Sequence, residues 1–175
     1  MHINPYGEEP VRLALDLVND PPPTAALLAA RCADAGFVID VPVRDEDLAG
    51  TAAFLTDWLG VVDAPDDTTR AARLNTLLAR ASAHPRLTDH AGDGWHVHYR
   101  DPGLPLAAAL RALVSVGTAL HLAGRGMHRL GRCAVTDCDR PYADTSRTGR
   151  QRYCSVACGN RDAVRRHRSR RATAS

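Results

Sequence analysis

Apolar residues recur every three or four positions in three segments of the chain, a spacing that places them on one face of an α-helix. A fourth segment, residues 24–35, is predicted to be helical because it is rich in Ala and Leu. In one of these segments the repeated residues are Leu48, Ala52, Leu55 and Leu59. The four predicted helices cover residues 24–35, 45–59, 68–83 and 104–123. Glycine or proline follows each of them, as expected where a helix ends. These residues are Gly36, Gly60, Pro85 and the pair Gly124 and Gly126.

Three shorter segments predict extended structure or leave the choice open. Residues 94–99 alternate and are rich in aromatic and β-branched side chains, which predicts a strand. Residues 37–43 also have an extended pattern, but Pro42 restricts them to an edge strand or a loop. Residues 11–19 are apolar and are compatible with either strand or helix. The expected fold class is therefore α+β, with a mainly helical N-terminal domain over residues 1–125 and a small extended element.

Composition narrows the class of protein. Hydrophobic residues make up 45% of the 175 residues and charged residues 24%, which are ordinary values for a soluble globular protein. No apolar run approaches the roughly 18 residues that span a membrane. The N-terminus lacks the basic start and the apolar stretch of a secretory signal. We therefore expect a cytoplasmic protein with no membrane partner.

Charge is distributed unevenly along the chain. Residues 1–128 contain 10 arginines and 16 acidic residues, a net charge of −6. Residues 129–175 contain 12 arginines and 4 aspartates, a net charge of +8. A basic segment on an acidic body indicates an anionic partner, and nucleic acid is the first candidate. The alternative is a solvated tail that only promotes solubility.

Four of the five cysteines lie within a stretch of 26 residues inside this basic segment. They are Cys133, Cys138, Cys154 and Cys158, with the spacing C-x4-C-x15-C-x3-C. Two close pairs separated by such an insert are typical of a tetrahedral four-cysteine zinc site. The alternatives are two disulfides or reduced cysteines without a ligand, but clustered cysteines in a cytosolic protein more often hold a metal.

The spacing also predicts the architecture around the metal. The first pair would form a knuckle, and the insert would form a β-hairpin with Tyr142 and Tyr153 flanking its turn. The second pair would open a helix with Ser155 as its N-cap. This order of elements is treble-clef-like. Residues 129–171 have too few large apolar side chains to fold without a bound metal or disulfides. Four thiolates fill the coordination of zinc, so we expect one structural Zn²⁺ and no enzymatic activity.

Arginines occupy the insert and follow the last cysteine. Arg161, Arg165 and Arg168 form one stripe of the predicted helix, with Arg166 and Arg170 beside it. Guanidinium groups bind phosphate in a bidentate manner and contact guanine edges. The candidate nucleic-acid contacts are Arg147, Arg150, Arg152, Arg161, Arg165, Arg166, Arg168 and Arg170. The alternative is that some of them pair with aspartates of the same unit, although four acids cannot neutralise twelve arginines.

The basic segment resembles a known family in these residues. Its tetrapeptide CGNR, residues 158–161, is the signature after which the CGNR zinc finger is named, and the four cysteines match that family's ligands. The segments DTS (144–146) and RYCS (152–155) also resemble its pattern. The resemblance covers residues 129–171 and implies a bacterial DNA-binding regulator of transcription.

The N-terminal body resembles the ABATE domain, which precedes the finger in that family and is described as a stress-induced transcription regulator. The similar segments are LALDLVN at 13–19, the helix ending with WLG at 58–60, and the strand WHVH at 95–98. The resemblance implies an ABATE-like domain over residues 1–125, which we expect to sense a signal or to mediate dimerisation.

Histidines of the predicted strand form a second candidate site. His96 and His98 are two residues apart and face the same side of a strand, next to Trp95. These three residues are candidates for lining a ligand pocket. A metal site is an alternative, although no acidic residue is placed by spacing as a third ligand.

The sequence therefore predicts a zinc-dependent DNA-binding transcriptional regulator. The alternatives are an RNA-binding or protein-interaction module with structural zinc, and an enzyme with its active site around His96 and His98 and the finger as an accessory. We also expect a homodimer, because a single finger contacts few base pairs.

Overall fold

The computed structural model describes residues 7–39, 41–89 and 94–172. Within these ranges the chain is mainly helical, with four short strands that pair in two antiparallel hairpins. The helices are α1 (Glu8–Asn19), α2 (Ala25–Asp34), α3 (Asp45–Val62), α4 (Asp67–Ala81), α5 (Leu106–Arg125) and α6 (Val156–Ala172). The strands are β1 (Arg86–Thr88), β2 (His96–His98), β3 (Leu130–Arg132) and β4 (Pro141–Ala143). The expectation of a mainly helical chain with small strand pieces is confirmed.

Several segments differ from the sequence-based expectation. The apolar segment 11–19 is helical and belongs to α1. The described residues among 37–43 contain no strand, in agreement with a loop around Pro42. The predicted strand at 94–99 is confirmed as β2, and it pairs with β1, for which the sequence showed no signal.

Helix α5 forms the centre of the helical body, which we define as helices α1 to α5. It packs against α1, α3 and α4. Its length and apolar composition match those of a membrane-spanning helix, but 61% of the apolar window is buried within the protein. Trp58 of α3 is fully buried on it and donates its indole N–H to the hydroxyl of Thr118 at 2.9 Å. Packing against three helices thus accounts for the apolar character of α5.

The chain at the start of helix α1 approaches α5 so closely that a Cβ has no room at Gly7 or at Gly117. A Cβ at Gly117 would lie 2.5 Å from Cβ of Pro10 and 3.3 Å from the carbonyl oxygen of Gly7. Real Cβ atoms do not approach other atoms so closely, so either the side chain or the helix would have to move. The sequence analysis placed residues 104–123 in a helix but did not identify this contact.

Helix α3 ends three residues later than predicted, at Val62 rather than at Leu59 before Gly60. The last carbonyl groups of a helix lack intrahelical donors, and Arg70 supplies them here. Its guanidinium group donates to the carbonyl oxygens of Val61 at 3.1 Å and Val62 at 3.2 Å. The side chain of Arg70 is buried. The prediction that Gly60 stops the helix was therefore wrong, because Arg70 of the next helix, α4, supplies the donors that stabilise the extra turn.

The β3–β4 hairpin packs against the helical body. Leu130 and Ala143, one from each strand, are buried in the same apolar cluster as the side chains of the body. The side chain of Asn19 donates to the carbonyl oxygen of Pro141 at 3.3 Å. Arg132 donates two hydrogen bonds of 2.7 Å to the carboxylate of Asp63. The hairpin is thereby attached to both α1 and the end of α3.

Candidate metal centre and basic surface

The sulfur atoms of Cys133, Cys138, Cys154 and Cys158 all lie within 4.8 Å of one another. Three of the distances are 3.6 Å (Cys138 to Cys154), 3.6 Å (Cys154 to Cys158) and 3.8 Å (Cys138 to Cys158). Four sulfurs placed 2.3 Å from a zinc ion in a tetrahedron are about 3.8 Å apart. Disulfide sulfurs lie about 2 Å apart, so these thiols are free. The donor set and its spacing are consistent with one zinc ion.

The first two ligands are positioned by the β3–β4 hairpin. Cys133 directly follows β3, and its N–H donates to the carbonyl oxygen of Arg140 at 3.0 Å. The N–H of Cys138 donates to the carbonyl oxygen of Val135 at 3.0 Å, which closes a tight turn. We call residues 133–138 the knuckle. The hairpin therefore encloses the knuckle, whereas the sequence placed a hairpin between the two cysteine pairs.

The insert between the cysteine pairs forms a loop instead of that hairpin. The structure assigns no strand between Ala143 and α6. Arg129 fills the loop, donating to the carbonyl oxygen of Ser146 at 2.7 Å and pairing with the buried carboxylate of Asp144 at 3.4 Å. Gly149 has φ +68°, and a Cβ there would lie 2.8 Å from the Arg129 guanidinium carbon. Glycine adopts this positive φ without strain, and the close neighbour of Gly149 is an arginine from outside the loop.

Asp144 is held ionised by the loop around it. Burial raises the pKa of this carboxyl, but hydrogen bonds from Ser146 and Gln151, together with the charge of Arg129, outweigh it and lower the pKa below its ordinary value. The N–H of Ser146 donates at 2.8 Å and that of Gln151 at 3.0 Å. Asp144 thereby fixes the path of the chain between the two cysteine pairs.

The last two ligands lie at the start of α6. The hydroxyl of Ser155 accepts a hydrogen bond from the N–H of Cys158 at 3.2 Å, as the predicted N-cap does. Cys154 lies just before the helix and Cys158 in its first turn. The Ser155 side chain and the neighbouring thiols lower the pKa of Cys158 to about 7. Burial and the thiols raise the pKa of Cys154 to about 12. The Ser155 side chain therefore favours the thiolate form of Cys158, which is the form that binds a metal.

Arg161, the last residue of the tetrapeptide CGNR, reaches back to the metal centre. Its guanidinium group donates to the sulfur of Cys158 at 3.7 Å and to the carboxylate of Asp137 in the knuckle at 3.2 Å. One side chain therefore links the helix, a metal ligand and the knuckle. Sequence reasoning had grouped Arg161 with the nucleic-acid contacts. The structure places the positive charge of Arg161 beside Cys158, where it would offset the negative charge of a metal-binding thiolate.

Asp162 anchors the next part of α6. Its buried carboxylate accepts a hydrogen bond of 2.7 Å from the hydroxyl of Tyr153. It also pairs with Arg165 at 3.0 Å and with Arg166 at 2.9 Å. The Tyr153 hydroxyl and then the Arg165 side chain hold the pKa of Asp162 below its ordinary value. Two of the predicted nucleic-acid contacts are thus also internal ion-pair partners, although more than half of each side chain stays exposed.

The other predicted contacts lie on the surface. Exposed residues in this group are Arg147, Arg150, Arg152, Arg168 and Arg170. Together with the exposed parts of Arg165 and Arg166 they form what we call the basic surface.

The structure brings the histidine pair of the β1–β2 hairpin together. The Nε2 atoms of His96 and His98 lie 3.0 Å apart, so one of them donates to the other. Trp95 precedes the strand and is 73% exposed. Among the described residues, the four cysteines of the finger are the group of three or more ligand side chains that the structure brings together. The fifth cysteine, Cys32, is fully buried, and burial raises its pKa to about 12.

Residues 129–171 match the model of the CGNR zinc finger family. The matched residues include the four clustered cysteines, Arg161 and most of α6. No curated protein matches the chain significantly.

Proposed function

We propose that this protein is a cytoplasmic, zinc-dependent DNA-binding regulator of transcription, in which the finger (residues 129–171) contacts DNA. The observation that carries the proposal is the exposed basic surface, which lies on the same unit as the four clustered cysteines. The helical body, over residues 1–125, is proposed as an ABATE-like domain that senses a signal or forms a homodimer.

Charge supports a nucleic acid as the partner. The segment from residue 129 onward has a net charge of +8, and the remainder of the chain has −6. An acidic body is repelled by a polyanion and a basic finger is attracted, so the molecule would approach DNA with the finger first. Internal ion pairs use Asp137, Asp144 and Asp162, but four aspartates cannot neutralise twelve arginines, so the segment keeps a net positive charge.

Zinc is assigned a structural role. Four thiolates occupy the coordination sphere, so no open position remains for a water or a substrate. The knuckle, the hairpin around it and the following helix support a treble-clef-like arrangement. We therefore propose a binding function rather than an enzymatic one.

Fluorescence anisotropy of the zinc-loaded full chain tests this function. The probes are a DNA duplex of random sequence and an RNA of matched sequence. Binding to each probe is measured at about 50 and about 200 mM salt. We expect DNA binding that weakens steeply with salt, because each neutralised phosphate adds about 0.9 to the log–log slope. The full chain is used because removal of the finger would expose the apolar side chains of the body that pack against Leu130 and Ala143.

Two variants and one metal assay serve as controls. Cys154→Ser is expected to abolish binding by unfolding the finger. Arg165→Ala with Arg168→Ala is expected to weaken binding and flatten its salt dependence while zinc stays bound. Preference for RNA, or no binding to either probe, would reject the DNA function in favour of an RNA or protein partner. Two zinc ions per chain instead of one would favour the enzyme alternative around His96 and His98.

A further inference from the structure

Helix α6 is exposed on all sides along most of its length. From Ala163 to Arg171 every side chain is exposed, whereas Cys158 and Asp162 in the first two turns are buried against the finger. Arg165 still contacts the knuckle, because its guanidinium group donates to the hydroxyl of Thr136 at 2.7 Å. The helix therefore has a first part anchored as far as Arg165 and a distal part, residues 166–172, that extends beyond it.

The distal part carries positive charge around its whole circumference. At 100° per residue, Arg166 and Arg170 lie about 40° apart on one side of the axis. Arg168 and Arg171 lie about 60° apart on a nearly opposite side, with Arg165 between the two groups. A helix that docks on a flat acidic surface needs its charges on one face only. Charges on all sides fit a partner that surrounds the helix with anionic groups.

We propose that the distal part of α6 enters the major groove of a B-form DNA duplex, with arginines on opposite sides of the helix contacting the phosphates of both groove walls. This inference rests on the proposed DNA function and specifies its geometry. The major groove is about 12 Å wide, which matches the 10–12 Å diameter of an α-helix with its side chains. The seven residues of the distal part extend about 10 Å along the helix axis, which is long enough to insert from the finger.

Other polyanions fit this helix less well. The major groove of A-form RNA is deep and narrow, and does not admit side chains in this way. Single-stranded nucleic acid is bound by stacking on aromatic side chains, and α6 contains no Phe, Tyr or Trp. Ser169 lies between the two arginine groups, about 40° from Arg165, and its exposed side chain is small enough to let the helix backbone approach the base edges.

Groove-specific blocking of the probe tests the inference. The zinc-loaded full chain is titrated with three DNA duplexes of one sequence containing both A·T runs and G·C pairs. One is unmodified, one carries glucosylated 5-hydroxymethylcytosine in the major groove, and one is saturated with the minor-groove ligand netropsin. We expect glucosylation to weaken binding at least tenfold and netropsin to change it less than twofold. Binding that survives glucosylation but is lost with netropsin would overturn the inference while leaving DNA binding intact.

Paired substitutions test whether both sides of the helix are used. We expect Arg166→Gln with Arg170→Gln, and separately Arg168→Gln with Arg171→Gln, to weaken binding by similar factors of about tenfold, since each pair removes phosphate contacts. The control Arg80→Gln with Arg86→Gln removes the same charge from exposed positions of the body and is expected to leave affinity within twofold. A large loss with one helix pair and none with the other would indicate one-face docking and overturn the inference.

These outcomes separate the inference from the function on which it rests. If the zinc-loaded chain binds no unmodified duplex, the proposed function fails and the groove model fails with it. If it binds the duplex but the groove or pair tests give the opposite result, only the groove model fails. Zinc content and thermal melting of each variant show whether the finger is still folded.

Discussion

At the scale of single residues, arginine is used inside the fold as well as on its surface. A guanidinium group offers five N–H donors in one plane, and Arg70 uses them for the carbonyl groups at the end of α3. Arg129 organises the loop between the cysteine pairs, and Arg161 connects a metal ligand with the knuckle. A count of arginines therefore overestimates the charge that is available to an anionic partner.

The contact between Arg161 and Cys158 predicts an effect on zinc affinity. We expect Arg161→Gln to lower zinc affinity about tenfold, as loss of partners of metal ligands does elsewhere, because the thiolate loses a cationic donor. Competition with a chromophoric chelator measures it. Arg168→Gln, which removes the same charge further along α6, is the matched control and is expected to leave zinc affinity unchanged. Equal zinc affinities of Arg161→Gln and the parent would show that the contact is dispensable.

The close approach at Gly117 predicts a loss of stability on substitution. We expect Gly117→Ala to lower the free energy of unfolding by about 1–2 kcal/mol, because overpacking against Pro10 exceeds the gain in helix propensity. Gly60→Ala is the matched control, because a Cβ there meets no atom within 4 Å. It is expected to raise stability by up to about 1 kcal/mol. Urea unfolding of both variants gives the comparison, and a stabilising Gly117→Ala would disprove the close-packing account.

At the scale of elements, local patterns predicted more than long-range pairing. The periodic helices at 45–59, 68–83 and 104–123 are present because their apolar stripes are local properties of the sequence. The partner strand Arg86–Thr88 has three residues and two exposed side chains, so no alternation marks it.

The finger shows the same division between local and distant information. Cysteine spacing identified the metal ligands and the helix that begins at Ser155, since both depend on neighbouring residues. The hairpin was misplaced because β4 pairs with β3, which lies before the first cysteine. The hydrogen bonds from Arg132 to Asp63 join residues 69 positions apart in the sequence. A local sequence pattern does not predict a contact between residues so far apart.

Removal of zinc is predicted to affect elements on both sides of the finger boundary. We expect a strong chelator to reduce the helical circular dichroism by the contribution of α6, because the thiol cluster and its few apolar neighbours form the finger's own core. The melting temperature of the remaining helices should also fall, because Leu130 and Ala143 belong to their apolar cluster. Full retention of the dichroism and amide dispersion of residues 129–171 in chelator would contradict this.

At the scale of the whole molecule, polar links join the finger to the body at several points. Arg132 binds Asp63 at the end of α3, and Arg12 of α1 donates to the hydroxyl of Thr145 at 3.2 Å. Asn19 binds the backbone of β4. Links to two different helices, with an apolar contact between them, restrain rotation of the finger relative to the body. The helical body therefore has a direct mechanical connection to the unit that holds the metal centre.

The link between Asp63 and Arg132 predicts a pH-dependent contribution to stability. The hydrogen bond from Arg132 lowers the pKa of Asp63, so the ionised carboxylate favours the folded state. This contribution is complete above the unfolded-state pKa of about 4 and is lost as pH falls through the lower folded-state pKa. Because the pair is partly exposed, we expect the parent to exceed Asp63→Asn by no more than about 1 kcal/mol near pH 6.

Thermal unfolding of the two proteins across pH checks the sign. Comparison at each pH cancels the acid sensitivity of the zinc thiolates, which both proteins share. The difference in stability should be constant above about pH 5 and shrink toward zero below about pH 4. A difference that grows on acidification would show that Asp63 does not stabilise the link as a carboxylate.

The two tryptophans of the chain lie at opposite extremes of exposure. Trp58 is fully buried between α3 and α5, and Trp95 is 73% exposed at the start of β2. Iodide collides with an exposed indole and is shielded from a buried one, so the intrinsic fluorescence of the unmodified chain divides into two separable populations. A molecule that binds the β1–β2 hairpin would protect Trp95 from iodide. A change within the helical body would instead shift the emission of Trp58.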